Sequence, residues 1–312
     1  MNPRLSPCIL ATSCIPWTES FELEESIFRE QIRGQIARGL TNLYLFGTAG
    51  EGHAITLPQF EGISRVFAEE TEGRARLRQL GIIALSIPQV WERIEIGRSL
   101  GIDSFQLSFP SWGKLSDRET ESFFENTCGR YPDCSFLFYN VSRGLRLLLP
   151  EEFGFLAERY SNVVAIKWAT RMEEEAMKSA VESAPQLCHF FGDIGHIQAS
   201  LAGLKCGLLL AMAESNSRLA HQLFELGQTR ADDGRLRGYL EDIRHHSRIM
   251  KELPLHGSHM DGTFDKLLCK LHQPEFPLRL LPPYQGSTEE AFAIYRARLE
   301  AELPHWIEST PR

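Results

Sequence analysis

Residues 135–167 read SFLFYNVSRGLRLLLPEEFGFLAERYSNVVAIK, and this stretch decides the fold. It opens on an apolar, aromatic run at 135–139. It then crosses a loop to Pro150, placed where a first helical turn accepts proline, and closes on a second apolar run at 162–167. Strand, helix, strand is the unit of a parallel sheet with crossover helices. Working outward, β-rich runs recur near 8–11, 42–46, 78–85, 103–108, 187–191 and 206–211, each bounded by turn residues and followed by a helical pattern. Eight such units in about 220 residues match the count and size of a (β/α)8 TIM barrel, although alternation alone also admits a doubly wound sheet. The expectation is a barrel over 1–228.

Helix signals support this reading. Phe28, Ile32, Ile36 and Leu40 repeat at four, Pro58 falls at a first turn, and Ser116 with Glu119 and Thr170 with Glu173 have capping-box spacing. Beyond residue 228 the strand runs stop. Residues 229–312 read as a C-terminal helical extension packed on the barrel, with Leu236, Leu240, Ile243, Met250 and Leu253 on one face and a capping-type Ser287 to Glu290 before the last helix. The extension would close the barrel's side or build a subunit contact.

The 312 residues, 43% of them hydrophobic, are enough for a large core, and no linker, repeat or low-complexity tract divides them. The net charge of -8 and the lack of a basic stripe argue against nucleic acid or an anionic membrane as partner. Small molecules or other subunits remain. The amino-terminal residues, broken by Pro3 and Pro7, do not read as a secretory signal, and no apolar run is long enough to span a bilayer. Seven cysteines without a C-x-x-C pair read as reduced thiols of a cytoplasmic protein, and the six-residue spacing of Cys8/Cys14 and Cys128/Cys134 matches no metal-ligand pattern.

Lys167 is the odd residue of the deciding stretch, a lone cation ending an apolar strand. Either its stem snorkels to solvent, or its desolvated amine has a lowered pKa and acts as a nucleophile. Barrels of this kind place their sites at the C-terminal ends of the strands. Three such ends converge on one chemistry: 43–46 followed by GTAGE at 47–51, 136–138 followed by Tyr139 to Gly144, and Lys167 itself. A neutral lysine amine attacks a ketone to give an imine, an electron sink for making or breaking a neighbouring carbon–carbon bond. A tyrosine hydrogen-bonded to a threonine can move the protons. Free N–H groups at Thr48, Ala49 and Gly50 suit a 2-keto acid's carboxylate, and Arg143 suits a second one. Taken singly these signals are weak: GTAGEG is not a P-loop, a lone tyrosine is commonly core, and a loop arginine is commonly solvated.

GTAGE before a helix, YN with an arginine shortly after, and the strand end AIK resemble, in order and spacing, the motifs of the dihydrodipicolinate synthase/N-acetylneuraminate lyase family of pyruvate-dependent class I aldolases. The likeness runs from about Cys8 to Gln228, and the helical tail is similar in size to the family's. It implies Lys167 as the Schiff-base lysine, Tyr139 as the proton-shuttling phenol and Thr48 as the hydroxyl of a relay. It further implies the Thr48 and Ala49 amides as the carboxylate cradle beside Gly50, and Gly192 and Leu209 as pocket lining. A cytoplasmic homo-oligomer, dimer or tetramer, without metal or organic cofactor is implied too, acting on a 2-keto acid with an aldehyde or sugar-acid substrate.

The departures narrow this expectation. Ala49 stands where the family has a second threonine, and Trp112, a possible pocket or subunit-interface residue, stands where it has a tyrosine that reaches a neighbouring subunit. The loop after Tyr139 is short and lacks the usual proline, and Trp168 and Ala169 are bulkier and more apolar than the family's pair. His256, His259 and Asp261 lie outside the barrel and read as a surface turn, His245 and His246 as a solvated face, and Glu51 as a general base or a support beneath the glycine turn. Two functions stand: a Schiff-base lyase or aldolase (or a related dehydratase), and a degenerate barrel that binds a keto acid or sugar acid, or serves as an assembly partner, without turnover.

Overall fold

The computed structural model describes residues 3–168 and 173–308. Eight strands, β1 (Ile9–Thr12), β2 (Asn42–Leu45), β3 (Leu77–Gly81), β4 (Ser104–Leu107), β5 (Ser135–Asn140), β6 (Val163–Trp168), β7 (Cys188–Gly192) and β8 (Gly207–Leu209), pair in parallel and in sequence order. Because β8 returns to pair with β1, the sheet is a closed barrel and not a doubly wound one. Its crossover helices are α1 (Glu25–Ala37), α2 (Leu57–Thr71), α3 (Ile87–Ser99), α4 (Asp117–Phe124), α5 (Pro150–Arg159), α6 (Glu174–Ser183), α7 (Asp193–Leu201) and α8 (Ser217–Thr229).

Strand parity separates two cores. Leu43, Leu45, Phe105, Leu107, Phe136, Phe138 and Ile166 join the large cluster beneath the helices, whereas Leu10, Tyr44, Leu137, Ala165, Cys188 and Phe190 pack together inside the barrel. The inward parity continues up the strands to Gln106, Tyr139 and Lys167, all buried. Polar side chains thus crown an apolar plug at the C-terminal end.

The Ser116/Glu119 capping box forms as expected, and Thr56 with Gln59 forms another ahead of Pro58. Thr170 lies outside the described residues, and α6 starts from Glu173 with no side-chain cap. Before the last helix the cap is Thr288, one residue later than expected: its hydroxyl accepts from Ala291 N–H, and Ser287 N–H bonds the Leu278 carbonyl. β3 and β8 are shorter than their apolar runs. At Gly81 a Cβ would run into the Phe46 carbonyl, so the segment leaving β2 crosses there. After Leu209 the Asp193 carboxylate accepts from Ala211 and Ala213 N–H and pulls the chain into a turn.

The extension comprises α9 (Asp233–Lys251), α10 (Asp261–His272) and α11 (Glu289–Glu302). Leu236, Leu240, Ile243, Met250 and Leu253 are buried, as their spacing predicts, with α9 against α7 and α8. The solvated reading of His246 is wrong: it is fully buried and hydrogen-bonds the Tyr295 hydroxyl at 2.7 Å, because it falls in the same stripe as Ile243 and Met250. α10 is fastened to the barrel by the buried Lys266–Glu51 ion pair, 2.7 Å. Glu51 also accepts from Trp17 Nε1 and Leu281 N–H, so it is a support of the glycine turn. All seven cysteines are free thiols, and among the described residues no helix is long and apolar enough to cross a membrane.

Candidate active site

Lys167 occupies the inward parity of β6, directly beside Tyr139 of β5 in the ladder. Its side chain does not snorkel; the residue is 2% exposed. The Nζ donates to Tyr44 Oη at 3.1 Å and to Gln106 Oε1 at 3.2 Å, and lies 4.3 and 4.2 Å from the ring centres of Tyr44 and Tyr139. Among the described residues no carboxylate pairs with it. Burial therefore dominates and lowers the amine pKa from 10.5 to about 7, against the more distant pull of Asp261 and Asp265. Burial pushes the Tyr139 phenol up to about 12, tempered by the Thr48 side chain.

The glycine turn after β2 is built by backbone necessity. Phe46 and Glu51 take positive φ of 62° and 54°, and a Cβ on Gly50 would stand 2.8 Å from Phe46 N. Within it Glu51 N–H bonds Thr48 O and Gly52 N–H bonds Gly47 O, whereas the N–H groups of Thr48, Ala49 and Gly50 have no acceptor among the described residues. Three consecutive amides are thus left without an acceptor among the described residues.

A cleft of about 640 Å³ opens at this end of the barrel, lined by Tyr139, Trp168, Phe191, Gly192, Leu209 and Asp261 among others. It brings Gly192 and Leu209, paired in the β7–β8 ladder, to the same opening as Tyr139. Arg143 sits in a short turn at Ser142–Gly144, its guanidinium already held by Asp261 at 3.0 and 3.3 Å. Trp112 is 89% exposed in the loop after β4 and takes no part in the cleft lining.

Four participants escaped the sequence reading. Tyr44 and Gln106 were legible in principle, since both hold inward parity in apolar strands, where a buried glutamine or a phenol needs a partner. Gln106 Nε2 remains without a partner among the described residues, a donor ready for a ligand. Asp261 belongs to the cleft rather than to a surface turn with the exposed His256 and His259. Asp265, one turn further on α10, has its carboxyl pushed well up by burial and then by Asp261. No spacing in the sequence placed α10 over the barrel mouth.

With this geometry in hand, comparison with known proteins is decisive for the family. The model of the Dihydrodipicolinate synthetase family matches residues 6–233. The chain belongs to that family. A 4-hydroxy-tetrahydrodipicolinate synthase of Rhizorhabdus wittichii is 24% identical over 291 residues, covering 90% of this chain and 92% of the relative. One from Exiguobacterium sibiricum is 26% identical over 155 residues, a match spanning 50% of this chain and about half (52%) of that relative. Among solved structures, a prophage protein of the dihydrodipicolinic acid synthase family from E. coli K12, crystallised with pyruvate, superposes with a TM-score of 0.81 at 19% identity, covering 95% of this chain and 98% of its own. Proteus mirabilis N-acetylneuraminate lyase superposes at 0.80 with 16% identity, covering 95% and 98%. These structural likenesses establish the barrel with its helical tail as the shared fold.

Proposed function

We propose that this family member is a class I lyase or aldolase that forms a Schiff base between Lys167 and pyruvate or another 2-keto acid. One observation carries the reading: a buried amine with no carboxylate partner among the described residues and a pKa of about 7, held between two phenols, one of which, Tyr139, lines the cleft. The neutral amine adds to the ketone carbon to give a carbinolamine, which loses water to the imine. The imine nitrogen then accepts the electron pair released when the adjacent carbon–carbon bond breaks, or supplies the enamine that attacks an aldehyde. The unpaired amides of Thr48, Ala49 and Gly50 receive the carboxylate, and Gln106 Nε2 offers a further donor. Tyr44 Oη is the hydroxyl in hydrogen-bond contact with the amine, and Tyr139 with Thr48 completes the proton-transfer set.

Incubation with pyruvate, reduction with borohydride and mass spectrometry on peptides test this directly. A reduced pyruvyl adduct on Lys167 is expected, and its absence with a panel of 2-keto acids would sink the imine. A second reading, binding without turnover, draws on the Arg143–Asp261 pair, which occupies the guanidinium otherwise available to a substrate carboxylate. An adduct without aldehyde-dependent turnover would favour it. We also infer a homo-oligomer with Trp112 near the contact, since the exposed Leu145, Leu147 and Leu149 lie in the adjoining loop region. Sedimentation reads the subunit number.

A further inference from the structure

The cleft has a wall that the imine chemistry does not use. On α9 the side chains Arg244, Ser247, Arg248 and Lys251 follow one another at helical spacing and line the same cleft as Tyr139 and Trp168. We propose that this row binds the anionic end, a phosphate or a carboxylate, of the second substrate, the aldehyde that meets the imine; the assignment rests on Schiff-base chemistry at Lys167.

Charge accounting supports it. None of the three cations is in an ion pair among the described residues; the Arg248 guanidinium donates to His245 Nδ1 at 2.9 Å, and that imidazole in turn meets Glu302, which is also held by Arg298. The acids that share the cleft are already engaged. Asp193 accepts from the Ala211 and Ala213 amides at 3.2 and 3.0 Å, and Asp261 holds Arg143. The wall is therefore net positive although the chain as a whole carries -8.

Geometry gives the anion its place. The aldehyde carbon must lie beside the imine, at the Tyr139 side, which directs the rest of the molecule along the cleft toward α9. A volume of about 640 Å³ exceeds the need of pyruvate alone and falls within the range of small-molecule sites. Gln198 also lines the cleft with its Oε1 lacking a partner among the described residues, an acceptor for a substrate hydroxyl. The substrate class is a short hydroxylated aldehyde, or the aldol product made from it, ending in an anion. Arginines on this wall can grip such a group through two parallel N–H donors, which a solvated lysine row could not.

Binding of unreactive probes tests the wall without needing the imine. Calorimetry would compare glycerol 3-phosphate, 4-hydroxybutyrate and neutral glycerol against the wild type, R248Q, R244Q/R248Q and R237Q, the last removing a cation of α9 outside the cleft lining. The wild type and R237Q are expected to bind at least one anion and not glycerol, with affinity about 10-fold or more weaker in R244Q/R248Q. Which probe binds distinguishes phosphate from carboxylate. Failure of both anions to bind the wild type, or equal affinity in R237Q and R244Q/R248Q, overturns the assignment. Borohydride trapping of pyruvate on the wild type is read separately; its failure would sink the imine while leaving the anion measurement intact.

Discussion

Moving the pH across the Lys167 titration changes the nucleophile's concentration by an amount the burial of this one amine dictates. A solvated lysine at its usual 10.5 is neutral in only about three molecules in ten thousand at pH 7, whereas an amine at about 7 is neutral in roughly half. The predicted gain in attacking form is about a thousandfold. Its cause is desolvation, because the nearest polar groups, Tyr44 Oη and Gln106 Oε1, carry no compensating negative charge. The rate of imine formation should therefore climb tenfold per pH unit below about 7 and level off above it.

The assay is a brief exposure to pyruvate at each pH from 5 to 10, followed by a quench into borohydride at one common pH and quantitation of the Lys167 adduct. The common quench keeps the reductant's own pH dependence out of the profile. A plateau reached near pH 7 to 8 is expected. A rate still rising tenfold per unit between pH 8 and 10 would refute the reasoning, because the amine would then be titrating like a solvated one and the burial argument would be wrong.

The same burial acts on stability. With a folded pKa of about 7 below an unfolded 10.5, the folded state holds fewer protons between those values, so stability rises with pH through that window and the full penalty is felt below pH 7. Lys167→Met should therefore stabilise the protein most at pH 6, by on the order of 5 kcal/mol at the upper limit, and less at pH 9; thermal melts at the two pH values check it. Tyr44→Phe removes the hydroxyl 3.1 Å from Nζ and should slow adduct formation by about 10²-fold or more if that hydroxyl moves the proton, whereas a wild-type rate would assign the transfer to Tyr139. Glu51→Gln leaves the Lys266 ammonium buried without its partner and should cost about 3–5 kcal/mol in denaturant unfolding; a loss below about 1 kcal/mol would mean the clasp is not holding α10.

The barrel was legible because each of its signals is local. Strand 135–139, Pro150 and strand 162–167 announce a crossover unit without reference to the rest of the chain, and the Ser116/Glu119 box sets its helix start over four residues. Where the reading slipped, a distant group intervened. β8 ends early because Asp193, from the start of α7, takes the amides of Ala211 and Ala213. The cap falls on Thr288 instead of Ser287, whose N–H is tied to the Leu278 carbonyl. His246 follows the buried stripe of Ile243 and Met250, and Tyr295, nearly fifty residues on, supplies the hydroxyl that makes an imidazole acceptable there.

The candidate site divides along the same line, and the division says something about how its chemistry is arranged. Lys167, Tyr139 and the GTAGE turn sit at strand ends, so their neighbourhood follows from barrel closure alone. The groups that set the electrostatics of the cleft come from elsewhere. Asp261 and Asp265 arrive on α10, held over the mouth by a Lys266–Glu51 pair whose carboxylate also braces the glycine turn, and Arg244, Arg248 and Lys251 arrive on α9. The barrel therefore supplies the amine and its cradle, and the extension supplies charge. Asp261 raises the Lys167 pKa against desolvation and Arg143 lowers it, so removing the Asp261 charge while α10 stays docked would leave the amine still less basic. Asp261→Asn should thus shift the midpoint of the trapping profile downward, a coupling that an appendage merely resting on the barrel would not produce; an unmoved midpoint would refute it.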